Sequence, residues 1–263
     1  MRFCRFQSAE GAQYGRIEAV AGRDCITAAI PSPLVTGGDH TAHLLPRPLP
    51  LDYAQLLIPV EPSKIVCVGR NYREHAKELD HEIPMEPMFF LKPPSSLLAP
   101  GGAIRRPRES QRVDYEGELA VVIGRTCSRL ADSEDVRPYI LGYTCLNDVT
   151  ARDLQPKSGP WTRAKGFDTF CPVGPVVSDE LDPWAGVAVE TRVNAQVRQQ
   201  GNTRDFIFPL DAIIRAVSRV MTLLPGDLIA TGTPAGVGPL TAGDMVEVNV
   251  EGVGTLRNTV VDE

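Results

Sequence analysis

Glu116 and Glu118 stand two residues apart in Val113-Asp114-Tyr115-Glu116-Gly117-Glu118-Leu119-Ala120-Val121-Val122-Ile123. Side chains alternate along a strand, so both carboxylates point to one face, about 6–7 Å apart. On a solvent-facing strand both would simply be hydrated. Leu119 to Ile123 is apolar throughout, however, and such a continuation heads into a core. Like charges converging away from water repel unless a cation or a proton lies between them. Asp148, in Cys145-Leu146-Asn147-Asp148-Val149, is a third carboxylate. Three carboxylates with no neighbouring His or Cys suit a hard divalent ion such as Mg²⁺ or Mn²⁺, with water or substrate oxygens completing the shell. If the loop after Asp148 opens a helical turn, Arg152 shares a face with it. Taken alone, Arg152 reads rather as a surface charge or a partner of Asp153.

His75 and Glu78 lie three apart in Gly69-Arg70-Asn71-Tyr72-Arg73-Glu74-His75-Ala76-Lys77-Glu78-Leu79. This stretch is rich in helix formers, follows the short apolar strand Ile65 to Val68 and offers Asn71 as a cap, so a short helix is expected. On it the two side chains share a face, where Glu78 can orient the imidazole and raise its basicity. The alternative is a surface helix on which His75 is merely exposed. Thr231 to Gly238 is glycine-rich but lacks the Gly-Lys-Ser/Thr ending of a phosphate loop, which excludes nucleotide binding. Its glycines are read as letting the backbone approach a substrate closely. Arg105, Arg106, Arg108 and Arg112 precede the glutamates, either as a solvated basic loop or as a cluster that greets a second substrate carboxylate.

A chain of 263 residues holds one large domain or a core with a small appendage. Glycine and proline number 23 each, which disfavours a mostly helical protein. Residues 1–58 read as a small β-rich domain and linker, because short alternating segments end in Pro46, Pro48 and Pro50. Residues 59–263 form the remaining core. Val246, Val248 and Val250 alternate with polar residues, the pattern of a strand with one wet face. Ile213, Ile214, Val217, Val220, Met221 and Leu224 predict one amphipathic helix, entered after Pro209 and ended by Pro225-Gly226-Asp227. Asn194-Ala195 is expected to turn a hairpin, where Ala resists the positive φ that Gly would accept.

The formal charge of −6 leaves no electrostatic footprint for nucleic acid. No apolar stretch nears the roughly 18–20 residues that span a bilayer, and Met1-Arg2-Phe3-Cys4-Arg5 lacks a hydrophobic signal region, so a cytoplasmic protein without a membrane partner is expected. The six cysteines contain no Cys-x-x-Cys pair, which argues for buried thiols over a zinc site or a disulfide framework.

As an ordered set, Gly69-Arg70-Asn71-Tyr72 with His75 and Glu78, Asp114 to Ala120, Asn147 to Asp153, Lys165-Gly166-Phe167-Asp168 and Thr231 to Gly238 resemble the fumarylacetoacetate hydrolase family. The resemblance implies a β-rich α+β fold: a mixed β-sheet roll with few helices, a small N-terminal β-rich appendage and usually a homodimeric assembly. It also implies Mg²⁺ or Mn²⁺ held by Glu116, Glu118 and Asp148, and a small 2-oxo acid substrate that chelates the ion. Lys165 would add a second positive charge to the enolate oxygen. His75 and Glu78, on a lid helix, would activate water or handle a proton. Arg152, Gln155 and the Thr233 hydroxyl or amide would hold the substrate. The enzyme that names the family has a further aspartate upstream of the Glu-x-Glu strand. Its absence from Gly69 to Tyr72 favours a smaller acylpyruvate over fumarylacetoacetate.

Members of such a family hydrolyse C–C bonds, decarboxylate, isomerise or dehydrate, so fold and metal do not fix the reaction. The leading expectation is a metal-dependent acylpyruvate hydrolase, with oxaloacetate decarboxylation as a second outcome of the same enolate chemistry. The rival is an isomerase of aromatic catabolism acting on 2-hydroxyhepta-2,4-diene-1,7-dioate or 5-carboxymethyl-2-hydroxymuconate. A third reading, from another class, is a non-catalytic module stabilised by a structural ion.

Overall fold

The computed structural model describes residues 1–34, 41–78, 82–157 and 159–263. The architecture is β-rich α+β, with three sheets and three short helices among the described residues. The largest sheet has 12 strands. Its path runs from His43–Pro50 through Arg23–Ile30, Gly11–Val20, Arg2–Ser8, Cys171–Ser178, Ile140–Asn147, Gly117–Ile123, Leu228–Ala230 and Ile65–Gly69 to Met88–Lys92. A five-stranded sheet orders Gln196–Asn202, Ala188–Val193, Met245–Val250, Gly254–Asp262 and Ala103–Arg106, and a three-stranded one joins Thr150–Ala151, Val113–Tyr115 and Gly238–Pro239. The pairing is mixed: Leu228–Ala230 runs parallel to Ile65–Gly69 but antiparallel to Gly117–Ile123.

Strand Gly117–Ile123 is buried along its whole length because both of its faces are covered. Leu119, Val121 and Ile123 pack with Val189, Val248 and Val250 of the five-stranded sheet and with Ile213, Ile214 and Val217. Ala120 and Val122 face the other way, toward Ile65, Cys67, Leu146 and Val173. A strand with two apolar faces reads as a continuous apolar run, as the sequence does here. Gly117 lies where the strand crosses the five-stranded sheet. A Cβ there would come within 2.0 Å of the Thr191 hydroxyl, so this crossing needs a residue without a side chain.

The first strand, Arg2–Ser8, pairs antiparallel with Cys171–Ser178, so the N-terminal strands extend the large sheet. Pro46, Pro48 and Pro50, read as the approach to a linker, lie in His43–Pro50 at the sheet's edge, where a missing N–H costs no ladder bond. Helix α1 spans Arg73–Glu78, α2 spans Thr162–Lys165 and α3 spans Leu210–Val220. Leu79, at the end of the predicted helical stretch, lies outside the described residues. Asn71 does not cap α1. Its buried amide donates to the carbonyls of Thr231 and Phe208, and its oxygen accepts from the Phe208 amide, tying three loops together.

In α3, Ile213, Ile214 and Val217 are buried as the periodicity requires, but Val220 is 67% exposed and the helix stops there. Met221 is extended because Leu223 exchanges backbone hydrogen bonds with Cys127, which draws the chain out of the helix before Pro225. The alternation at Val246, Val248 and Val250 holds, with all three buried in Met245–Val250. Asn194 and Ala195 form the hairpin turn at φ 51° and 65°, so the alanine does take the positive φ. All six cysteines are buried free thiols, and burial pushes Cys4, Cys145 and Cys171 up to about 12. Among the described residues no helix is long and apolar enough to cross a membrane.

Candidate active site

The segment expected to be one strand from Val113 to Ile123 is broken at Glu116, which sits between two sheets. There its amide donates to Asn147 Oδ1 at 2.9 Å, and its carbonyl accepts from the Asp148 amide at 2.8 Å. These bonds lock Glu116 to the end of strand Ile140–Asn147, just where Asp148 leaves it. Glu118 stays in the ladder opposite Leu146 and projects on the face of Ala120 and Val122. One carboxylate oxygen from each of Glu116, Glu118 and Asp148 therefore lies within 4.8 Å of the other two, and all three residues are buried.

Buried anions need compensation, and two lysines supply it. Lys165, at the end of α2, places Nζ 2.9 Å from Glu116 Oε2 and 2.7 Å from Asp148 Oδ2. Its ammonium also lies 5.1 Å from the centre of the Phe90 ring. Lys92 donates to Asp148 Oδ1 at 2.6 Å and to the Val149 carbonyl at 3.0 Å. Burial opposes charge on Lys165, but Asp148 and Glu116 outweigh it and raise its pKa above the ordinary lysine value. Burial would likewise raise Glu116, yet Lys165 and Arg152 hold that carboxyl well below the usual range. Glu118 goes the other way. Burial, with the charges of Asp148 and Glu116 behind it, pushes it well above the ordinary value, although the Gly232 amide donates to it at 2.7 Å.

Arg152 follows Asp148 in a short 3₁₀ turn and is anchored through Nε to Asp114 Oδ2 at 2.8 Å. Its remaining nitrogens donate to Glu116 and, at 2.5 Å, to Gln155 Oε1. Asp153, the partner considered for Arg152, instead accepts from Ser110 and the Gln111 amide. Asp114 has no exposure and also receives Arg112 at 2.8 and 3.1 Å. Arg112 is thus committed, Arg106 pairs with Asp262 and Arg108 donates to the Glu263 carbonyl. The arginine cluster does not line the cleft that holds the carboxylates.

Across that cleft stands α1. His75 is buried, and its Nδ1 lies 3.2 Å from Glu78 Oε2. The Gly236 amide donates to both Glu78 oxygens, at 3.0 and 3.2 Å. Burial alone would raise Glu78, but the His75 hydrogen bond and the Gly236 amide bring it below its ordinary value. Two glycines of Thr231 to Gly238 have a further role: Gly232 and Gly236, at φ 100° and 101°, aim their amides at Glu118 and Glu78. Thr233 is buried beside them, its hydroxyl donating to the Gly117 carbonyl at 2.9 Å and accepting from Gln199.

The cleft is lined by His75, Glu116, Glu118, Asp148, Arg152, Gln155, Lys165 and Thr233, with Glu78 behind His75. Sequence reasoning missed Arg70, Phe90 and Trp161 on its walls, and Lys92 and Asp114 behind it. Asp114 carried a signal, since it continues the period-two carboxylates Glu116 and Glu118. Lys92, a lysine ending an apolar strand, carried none that separates it from a surface charge. Three convergent carboxylates are the hard oxygen donors that a small divalent cation requires. Lys165 lodges a positive charge against two of them, so the residues present fit such an ion.

Fold and site together are those of a β-rich enzyme acting on small molecules. The profile of the Fumarylacetoacetate (FAA) hydrolase C-terminal family matches residues 64–261, and the chain belongs to that family. It is 41% identical to the 5-carboxymethyl-2-hydroxymuconate delta-isomerase of Mycobacterium smegmatis, whose crystal structure superposes with a TM-score of 0.86 over 100% of both chains. It is 46% identical to a mitochondrial oxaloacetate decarboxylase of Dictyostelium discoideum, over 73% of this chain and 90% of that one. An oxaloacetate tautomerase of Bacillus subtilis is 41% identical over 77% of this chain and 71% of the other.

Proposed function

We propose that this protein is a Mg²⁺- or Mn²⁺-dependent enzyme that cleaves a C–C bond of 2-oxo acids through an enolate, with acylpyruvate hydrolysis as its main reaction. Oxaloacetate decarboxylation would draw on the same enolate. The observation that carries this reading is the His75–Glu78 pair, set on a tethered helix and opening onto the cleft that contains Lys165 and the three carboxylates.

In hydrolysis, His75 takes a proton from the water that adds to the distal carbonyl, with Glu78 orienting the ring and balancing its charge. The C3–C4 bond then breaks, releasing C4 as a carboxylic acid while the electron pair moves toward the 2-oxo oxygen, and C3 finally takes the proton held on His75 to give pyruvate. Lys165 faces the negative charge that develops on that oxygen. Arg152 and Gln155 hold the C1 carboxylate, and Glu116, Glu118 and Asp148 would hold the ion. A bound divalent ion adds electrophilic stabilisation of the same developing charge. Three ligands leave coordination positions for a substrate, which speaks for catalysis over a purely structural ion.

A second reading is keto–enol or double-bond isomerisation, favoured by the names of the mycobacterial and Bacillus relatives. The deciding experiment strips the protein with chelator and follows acetylpyruvate and oxaloacetate before and after Mg²⁺ or Mn²⁺ is restored. Metal-dependent loss of the diketo absorbance with formation of pyruvate supports cleavage. His75→Ala should then abolish hydrolysis, by about 10²–10⁴-fold, while sparing enol–keto exchange. Equal loss of both activities counts against separate roles, and absence of cleavage in the metal-loaded protein turns the reading to the isomerase.

A further inference from the structure

The cationic side chains on the cleft walls differ in what they already hold. Lys165 faces Glu116 and Asp148, and Arg152 faces Asp114 and Glu116. Arg70 lines the same cleft yet has no carboxylate partner among the described residues. Among the described residues its guanidinium makes one long hydrogen bond, 3.3 Å from Nη2 to the Lys157 carbonyl, and its buried Nε has no partner. A buried N–H without an acceptor is costly, and a guanidinium that lacks its anion beside a cleft is a site for one.

The backbone at this residue is unusual as well. Arg70 has φ 58°, a left-handed conformation that costs a residue with a Cβ and that clusters at ligand sites. The preceding Gly69 admits Trp161 so closely that a Cβ there would meet the ring at 2.9 Å. Arg70 Cζ lies 6.0 Å from the centre of the Trp161 ring, which itself stands edge-on to Phe90 at 5.1 Å. A cation and two aromatic walls therefore stand together on the cleft. The basic cluster ahead of Glu116 cannot serve this end of the substrate, since it lies outside the cleft.

We propose that Arg70 is a specificity-determining residue: with Trp161 it forms a subsite for a second carboxylate at the far end of the 2-oxo acid. The preferred substrates are then 2,4-dioxo dicarboxylates, whose methylenes lie along Trp161 and Phe90 while the planar guanidinium takes both carboxylate oxygens. This assignment rests on the C–C cleavage reading for its reaction but not for its binding.

Succinylpyruvate and acetylpyruvate share one reacting centre and differ in the distal carboxylate, so they form the test pair. Wild-type, Arg70→Gln and Arg70→Lys proteins loaded with Mn²⁺ are compared by kcat and KM. The expected result is a wild-type preference for succinylpyruvate, which Arg70→Gln lowers by about 10- to 100-fold, chiefly through KM. Acetylpyruvate should stay within about threefold, and Arg70→Lys should recover part of the loss. No preference in the wild type, or equal loss on both compounds in Arg70→Gln, overturns the subsite. If neither compound is cleaved, the reaction reading fails, and calorimetry of the same two compounds with the Mn²⁺-loaded proteins still decides. Tighter wild-type binding of succinylpyruvate that disappears in Arg70→Gln upholds the subsite, whereas equal wild-type binding overturns it.

Discussion

Lys92 donates a 2.6 Å hydrogen bond to Oδ1 of Asp148 from a side chain with no exposure. Asp148 therefore meets cations on both oxygens, Lys92 on one and Lys165 on the other. Breaking a buried pair by removing one partner leaves an uncompensated charge, at a cost of about 3–5 kcal/mol. Lys92→Met is expected near the lower end of that range in metal-free protein, because Lys165 remains. Denaturant titration measures it. Added Mn²⁺ should raise the unfolding midpoint more in Lys92→Met than in wild type, since the ion replaces the missing charge. An equal rise would show that Lys92 does not compensate Asp148.

Asp114 anchors Arg152 by the guanidinium edge that faces away from Gln155. Asp114→Asn keeps the shape but removes the charge that holds both Arg152 and Arg112. Binding of a 2-oxo acid should weaken by about 10-fold or more, as expected for a lost charge-assisted bond. If Glu116, Glu118 and Asp148 hold the ion as proposed, Mn²⁺ affinity should change much less. Calorimetry with Mn²⁺ alone, and then with oxalate on the Mn²⁺-loaded protein, separates the two. Loss of metal and oxalate binding together would make Asp114 part of the metal support.

The docking of α1 should depend on pH through Glu78. Its carboxyl is held below its ordinary value of about 4.5. A carboxylate depressed by folding adds stability that is present above its unfolded pKa and fades as pH falls through the folded one. The helix should thus stay tethered at neutral pH and loosen from Gly236 in acid, below about pH 4.5. Hydrogen exchange, corrected for its intrinsic pH dependence, reads this as lost protection of the Gly236 amide. Glu78→Gln should flatten the dependence, and a variant that keeps it would place the titration elsewhere.

Gly117 separates two of the clustered carboxylates, Glu116 and Glu118, and touches the opposite sheet. An added methyl would meet the Thr191 hydroxyl at 2.0 Å and Val248 at 3.2 Å, and the Gly117 amide already donates to buried Gln199. Gly117→Ala should cost about 1–3 kcal/mol by overpacking. Metal affinity should fall with it, because the shift moves Glu116 and Glu118. Thermal unfolding with and without Mn²⁺ tests both, and an unchanged midpoint would show that the sheets yield freely there.

Local spacing alone marks the candidate carboxylates and the elements that carry them. Carboxylates spaced by two before an apolar run mark a strand that carries charge into a core. His75 and Glu78 spaced by three on helix formers mark one helical face. These patterns are legible because strand and helix periods are local geometry. What the tertiary structure decided is which groups meet. The strand break at Glu116 comes from Asn147, 31 residues on, and closes the carboxylate cluster through the Asp148 amide. Gly232 and Gly236 hold Glu118 and Glu78, contacts that no spacing in the glycine-rich stretch announces. Lys92 reaches Asp148 across 56 residues, and its burial follows from sheet pairing that no local pattern encodes. The same holds for Arg70: its place on the cleft wall, without a carboxylate partner among the described residues, exists only once the sheets have closed around the site.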